Sequence, residues 1–229
     1  MAFNFKFQSI LDLKIRLSQR RIREWVDYYG INGVYVSFSG GKDSTVLLHL
    51  VRSIYPEVKA MFVDTGLEYP ELKEFVKTTD NVDIIRPDKM FNQVIQDYGF
   101  PIISKEVSEC VDQARKALIT GKYPYRLQKL QGTALDKNGN PSKYNQKKWA
   151  FLLDAPFKIS NQCCNVMKKR PAHKYFKETG RVPIIGTLAE ESRLRTQQYL
   201  KSGCNGFNNK IPTSNPIAFW TEQDILQYL

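Results

Sequence analysis

No stretch of this 229-residue chain approaches the ~20 consecutive apolar residues that a membrane-spanning helix requires, so such a helix and a membrane partner are excluded. Cysteine is scarce, with four residues, Cys110, Cys163, Cys164 and Cys204. Two are adjacent, a spacing that disulfide geometry rarely uses, so reduced thiols or metal ligands are expected instead of a disulfide framework. Histidine is scarcer still. His49 and His173 both fall in helical patterns, His49 on an apolar run, and neither is given an acid-base role. The first residues are interrupted by Lys6, Asp12, Lys14 and Arg16 and offer no small-residue cleavage site, which leaves a cytoplasmic location as the expectation. Internal repeats and low-complexity tracts are missing too.

What is present is a globular composition, 42% hydrophobic and 25% charged, with a formal net charge of +11. That charge is local. Residues 1–120 hold 16 basic against 16 acidic side chains, residues 182–229 hold 4 against 4, and residues 121–181 hold 14 against 3. In the first half of this segment Tyr123, Tyr125, Tyr144 and Trp149 alternate with lysines, a composition suited to stacking on bases and neutralising phosphates. It suits equally a solvated insertion, about 121–160, with a turn at Asn138, Gly139, Asn140 and Pro141.

The apolar pattern predicts an amphipathic leading helix in segment 1–30, with Leu11, Leu17, Ile22, Trp25, Val26 and Tyr29 at helical spacing and Gly30 as C-cap. Short β-branched and aromatic runs then alternate with helical patterns. Strands are expected at 34–39, 58–64 and 82–87, and helices at 43–54, 70–78, 90–98 and 105–119. After the basic segment come a helix at 164–179, a strand in RVPIIGTLA and a helix opening at Glu190. The alternation implies an α/β fold, a doubly wound, mostly parallel sheet covered on both faces, spanning 31–229 with the basic insertion. The chain ends about two turns into a helix with Thr221 as N-cap and Asp224 completing a capping box, and a further C-terminal tail is expected.

The most informative stretch runs from the strand at Val34 into Ser39, Gly40, Gly41, Lys42, Asp43, Ser44 and Thr45, followed by a helix. Two glycines let backbone N–H groups turn toward a ligand, the helix N-terminus adds donors and partial positive charge, and the hydroxyls and Lys42 add side-chain donors. A phosphate or pyrophosphate fits. The spacing is neither GxxxxGK[ST] nor GxGxxG. Asp64 follows the second strand at the rim where parallel sheets collect ligands, and reads either as an orienting group for ribose, Mg2+ or water or as a turn residue. Arg193 and Arg195 read as a phosphate or sulfate clamp, or as surface partners of Glu190 and Glu191.

On these residues the chain resembles the adenine nucleotide alpha hydrolase superfamily, whose pyrophosphate loop SGGKDS matches. More narrowly it resembles the phosphoadenosine phosphosulfate reductase family. Val63-Asp64-Thr65-Gly66 with Tyr69-Pro70-Glu71 is similar to that family's post-strand loop, and the run from Gly186 through Glu191, Ser192, Arg193 and Arg195 is similar to its late strand-loop element. Cys163-Cys164 with Lys168 and Pro171 resembles the cysteine run of iron-sulfur adenylyl sulfate reductases, although Met167 stands where a basic residue is usual. The resemblance implies ATP or (phospho)adenylyl sulfate as ligand, with Mg2+, and an enzyme of sulfur metabolism acting at the α-phosphate or sulfonate. It implies nucleotide binding by Ser39, Gly40, Gly41, Lys42, Asp43, Ser44, Thr45, Asp64, Gly186, Arg193 and Arg195, with Lys42, Asp64 and Arg195 as catalytic residues. It further implies an iron-sulfur cluster on Cys163, Cys164 and Cys204, and a thiol reductant protein as partner. Two departures stand out: the later Cys-x-x-Cys and the Glu-Cys-Gly motif of those reductases have no counterpart. The alternative implication is an ATP-dependent nucleic-acid (tRNA or DNA) sulfur-modifying enzyme that uses residues 121–181.

Overall fold

The computed structural model describes residues 9–229. The first eight residues of the expected leading segment lie outside the described residues. The chain divides into two compact units, one formed by the chain up to Arg86 together with Ala172–Leu229, the other by Pro87–Pro171.

Up to Arg86 the elements are α1 (Ile10–Tyr29), β1 (Val34–Ser37), α2 (Lys42–Arg52), β2 (Ala60–Val63), α3 (Pro70–Thr78) and β3 (Val82–Ile85). The second unit carries α4 (Phe91–Tyr98), α5 (Lys105–Thr120), α6 (Pro124–Gln131) and the single turn α7 (Gln162–Cys164). Then follow α8 (Arg170–Thr179), β4 (Val182–Ile184), α9 (Arg193–Ser202), β5 (Asn205–Gly206), β6 (Thr213–Ser214) and α10 (Glu222–Tyr228).

The sheet has the order β3-β2-β1-β4-β6-β5 and is parallel except for the β5–β6 pair. The chain winds outward from β1 through β2 to β3 and then returns to the opposite side of β1 as β4. The winding direction therefore reverses between β1 and β4, and open parallel sheets bind ligands beyond the carboxyl ends of strands at such a point.

Strand alternation distributes the core between the two faces. Val34, Val36, Ala60 and Phe62 pack with Ile22, Trp25, Leu47 and Val51 from α1 and α2. Tyr35 and Met61 point to the other face, against Tyr175 of α8. There the Tyr175 hydroxyl donates to Asp83 Oδ2 at 2.7 Å.

Ser9 caps α1 by accepting from the Asp12 N–H, and Gly30 closes it at φ +76° as expected. Leu17 departs from the predicted apolar stripe, being 41% exposed. Its place is taken by Ser18, which is fully buried, accepts from Trp220 Nε1 at 2.9 Å and donates to the Pro216 carbonyl at 2.9 Å. A buried hydroxyl with both roles filled ties the first helix to the last segment. The capping box of Thr221 and Asp224 is present as read.

In the second unit Val107, Cys110, Val111 and Ala114 of α5 pack with Leu130, Leu152 and Ile159. The basic segment contributes a helix that its composition did not suggest, α6, in which Lys129 is buried and paired with Glu106 at 2.8 Å. The expected turn is there, with Gly139 at φ +80° and the Asp136 carboxylate accepting from the N–H groups of Asn138 and Asn140. Among the described residues no helix is long and apolar enough to cross a membrane.

Candidate phosphate-loop site

The loop 39–44 leaves the carboxyl end of β1 and turns directly into α2. Gly40 makes the turn at φ +74°, where a Cβ would also come within 2.9 Å of Leu72 on α3. Only glycine meets both conditions without strain. Ser44 braces the turn. Its hydroxyl donates to the Gly41 carbonyl at 2.9 Å, accepts from the Ser39 N–H at 3.1 Å and lies 3.0 Å from the Ser39 hydroxyl. Thr45 Oγ1 adds a second bond to the Gly41 carbonyl at 3.0 Å. Gly41 is the N-cap of α2 and no side chain caps that helix, so the donors of its first turn face the loop with the positive end of the dipole.

Gly186 follows β4 across the reversal point. A Cβ there would stand 3.1 Å from the Asp43 carbonyl oxygen and 3.4 Å from the Ser44 Cα, so the glycine allows this strand end to approach the start of α2. Lys42 extends its ammonium to Asp43 at 3.0 Å and Glu222 at 3.3 Å. The bond to Asp43 foremost, and Glu222 after it, hold its pKa above the ordinary lysine value. A cleft of about 290 Å³ beside it is lined by Lys42, Leu188, Glu190, Glu191 and Glu222.

Asp64 stands at the end of β2, next to β1. Its Oδ1 meets Lys73 at 2.7 Å and the Gly66 N–H at 3.1 Å, while Oδ2 meets Arg86 at 3.2 Å. Chiefly the Lys73 bond holds its carboxyl below the usual range, against the opposing effect of burial. Both oxygens are occupied by cationic or N–H donors, and this arrangement does not fit a Mg2+ ligand.

After β4 the helix expected at Glu190 begins three residues later. Ala189–Glu191 forms a 3-10 turn instead, and Ser192 is the true N-cap of α9, accepting from the Arg195 N–H at 3.3 Å. The serine side chain caps better than the glutamate, and so sets the boundary. Arg193 is the first residue of α9. Arg195 pairs with Glu191 and borders a small pocket of about 50 Å³ with Thr187, Tyr199 and Asn215. Glu190 caps α10 by accepting from the Glu222 N–H. Sequence reasoning missed Glu222. Its position 180 residues from Lys42 left no local signal.

Cys163 and Cys164 close the α7 turn and lead into a π-helical stretch, Asn165–Lys169. Cys163 packs beside Val94, Val166 and Met167, so Met167 is core where a basic residue was the family's pattern. Burial first, and then Cys164, push the Cys163 thiol up. Cys204 is buried in the first unit and Cys110 in the second, both with thiols raised by burial. No three His, Cys, Asp or Glu side chains gather as metal ligands among the described residues. Two adjacent thiols, one of them raised, do not fit the four thiolates of a cluster.

In the basic segment Lys129 is paired internally, Lys147 lies over Gly132, and Lys158 donates to the carbonyls of Gln96 and Asp97. Part of its charge is thus internal to the second unit, and it carries no argument for a polynucleotide partner.

The chain matches the phosphoadenosine phosphosulfate reductase domain family over residues 33–102 and 104–229. It is 23% identical over 213 residues to an adenosine 5'-phosphosulfate reductase of Staphylococcus epidermidis and 25% identical over 214 residues to one of Staphylococcus haemolyticus. Each alignment covers 91% of this chain and 65% of the relative, so the chain spans about two thirds of their length. A crystal structure of phosphoadenylyl-sulfate reductase from Candida auris, a phosphate complex, shares the fold with a TM-score of 0.50 at 13% identity, over 97% of this chain and 85% of that one. With the match running from β1 through the phosphate loop to α10, the chain belongs to the phosphoadenosine phosphosulfate reductase domain family.

Proposed function

We propose that the protein is an adenine-nucleotide-binding enzyme of sulfur metabolism that acts at the α-phosphate, or its attached sulfonate, of ATP or (phospho)adenylyl sulfate. The observation that carries this is the loop 39–44 at the reversal point of the sheet, braced by Ser44, uncapped at α2 and closely approached by Gly186. In this reading the loop amides, that of Asp43 among them, together with Ser39, Lys42, Ser44 and Thr45 position the phosphates. Arg193 and Arg195 clamp the anionic end, and Asp64 orients the nucleoside through its fixed pairs with Lys73 and Arg86. Lys42 and Arg195 stabilise the charge that develops as the anhydride breaks.

Reduction of a sulfonucleotide also needs a nucleophilic thiol. Burial raises the thiols of Cys110, Cys163 and Cys204, which leaves exposed Cys164 or a thiol reductant protein of the cytoplasm to supply it. Nothing in this reading passes through a metal or a cluster.

Calorimetric titration with ATP plus Mg2+, adenylyl sulfate and phosphoadenylyl sulfate, with pyrophosphate release followed in parallel, tests it. Saturable binding that Lys42→Ala abolishes is expected. A wild type that takes none of the three overturns the proposal. Preference for a sulfonucleotide points to reductase chemistry, and preference for ATP with pyrophosphate release points to ATP-dependent activation.

A further inference from the structure

Lys42 is the loop's one side-chain cation, and it is already engaged. Its ammonium lies between Asp43, its neighbour in the chain, and Glu222, which comes from the far end of the sequence. The Glu222 side chain is 65% exposed, and its backbone is fixed. Its own N–H is bonded to Glu190, and its helix is fixed by the Thr221–Asp224 box, the Lys14–Asp224 pair, buried Ile225 and the 2.8 Å contact of Tyr228 with His49. The cleft of about 290 Å³ beside Lys42 carries the carboxylates of Glu190, Glu191 and Glu222, and Glu191 in turn engages Arg195. An incoming anion therefore competes with two carboxylates for the three donors of Lys42, and any phosphate extending into the cleft meets like charge.

We infer that Glu222 is a specificity-determining residue of the phosphate loop, one that holds Lys42 until an anion arrives and discriminates against extended polyphosphates in favour of the compact phosphate-sulfate anhydride of adenylyl sulfate. The inference rests on the nucleotide reading above and narrows its substrate class. Releasing Lys42 costs the same for every ligand. Repulsion from the cleft grows with the charge of the tail, which is smaller for a phosphate-sulfate anhydride than for a triphosphate.

The test is the ratio of ATP to adenylyl sulfate affinity, measured by calorimetry without added divalent metal in wild type, Glu222→Gln and Lys42→Ala. Glu74→Gln, an exposed site on α3 paired only with Lys77 in the described ion pairs, controls for the change in net charge. Glu222→Gln should tighten both ligands, by about two- to fivefold for the pair at Lys42, with the larger gain for ATP, while Glu74→Gln leaves the ratio unchanged. An unchanged ratio in Glu222→Gln, equal shifts in both glutamate variants, or binding that Lys42→Ala leaves unweakened overturns the inference. A wild type that binds neither ligand overturns the nucleotide reading and this inference with it. Thermal melts with coincident midpoints for wild type and Glu222→Gln exclude loss of α10 as the cause.

Discussion

Ser44 joins the stability of the phosphate loop to its proposed use, and Ser44→Ala separates the two. The side chain is 6% exposed, donates to the Gly41 carbonyl and accepts from the Ser39 N–H. The Gly41 carbonyl keeps Thr45 N–H and Oγ1 after the substitution, so it is not orphaned. The Ser39 N–H loses its acceptor near the surface, where water replaces part of the bond. Two hydrogen bonds at ~0.5–1 kcal/mol each give a loss of ~1–2 kcal/mol. For a chain of this size that corresponds to a fall in melting temperature of roughly 2–8 °C. Nucleotide affinity should fall further, because the loop must then be ordered by the ligand. Lys42→Ala, by contrast, removes only half-exposed ion pairs and should cost affinity with a melting point within about 1 °C of wild type. Calorimetric melts and nucleotide titrations on the two variants make the comparison. A Ser44→Ala protein that melts with wild type would refute the bracing role and leave the hydroxyl as a ligand contact alone.

Other consequences are equally direct. Gly186→Ala presses a methyl group against the Asp43 carbonyl, and should cost ~1–3 kcal/mol and weaken nucleotide binding together, read by melting and titration. The lowered carboxyl of Asp64, held chiefly by Lys73, contributes stability above its unfolded value of about 4 that is lost as pH falls through the lower folded value. Asp64→Asn should therefore be less stable than wild type at neutral pH, with the gap closing in melts below about pH 4. Tyr175 is pushed up to about 12 by burial and then by its bond to Asp83, so its contribution is complete below the ordinary value near 10 and lost as pH rises toward the folded value. Tyr175→Phe should remove that alkaline loss, and ultraviolet titration should show one late-ionising phenol fewer in Tyr175→Phe than in wild type, where buried Tyr35 is raised as well.

Elements whose pattern is local were legible before the fold was known. The helix at 70–78 and the capping box at Thr221 follow from proline at a helix start and from residues three apart. The strands at β1 to β3 were read one or two residues long at their ends, where single backbone bonds such as Phe38 N–H to the Met61 carbonyl and Asp64 N–H to the Ile85 carbonyl continue past the paired residues. The two-residue strands β5 and β6 left no periodic trace, and α6 was hidden beneath a basic composition whose most telling lysine, Lys129, turns inward to Glu106. The boundary at Glu190 was misread because Ser192, two residues on, is the better cap.

The phosphate loop needed nothing beyond its own residues, since a strand, two glycines, a lysine, two hydroxyls and a helix start are contiguous and their conformations are set by neighbours. The partners of those residues were settled by packing alone. Glu222 reaches Lys42 and Gly186 approaches Asp43 only after the sheet reverses direction between β1 and β4 and brings distant strand ends together, while Lys73 takes Asp64 across the β2–α3 connection. Charge pairing between residues far apart in sequence depends on where the core places their helices, and no local pattern encodes that placement.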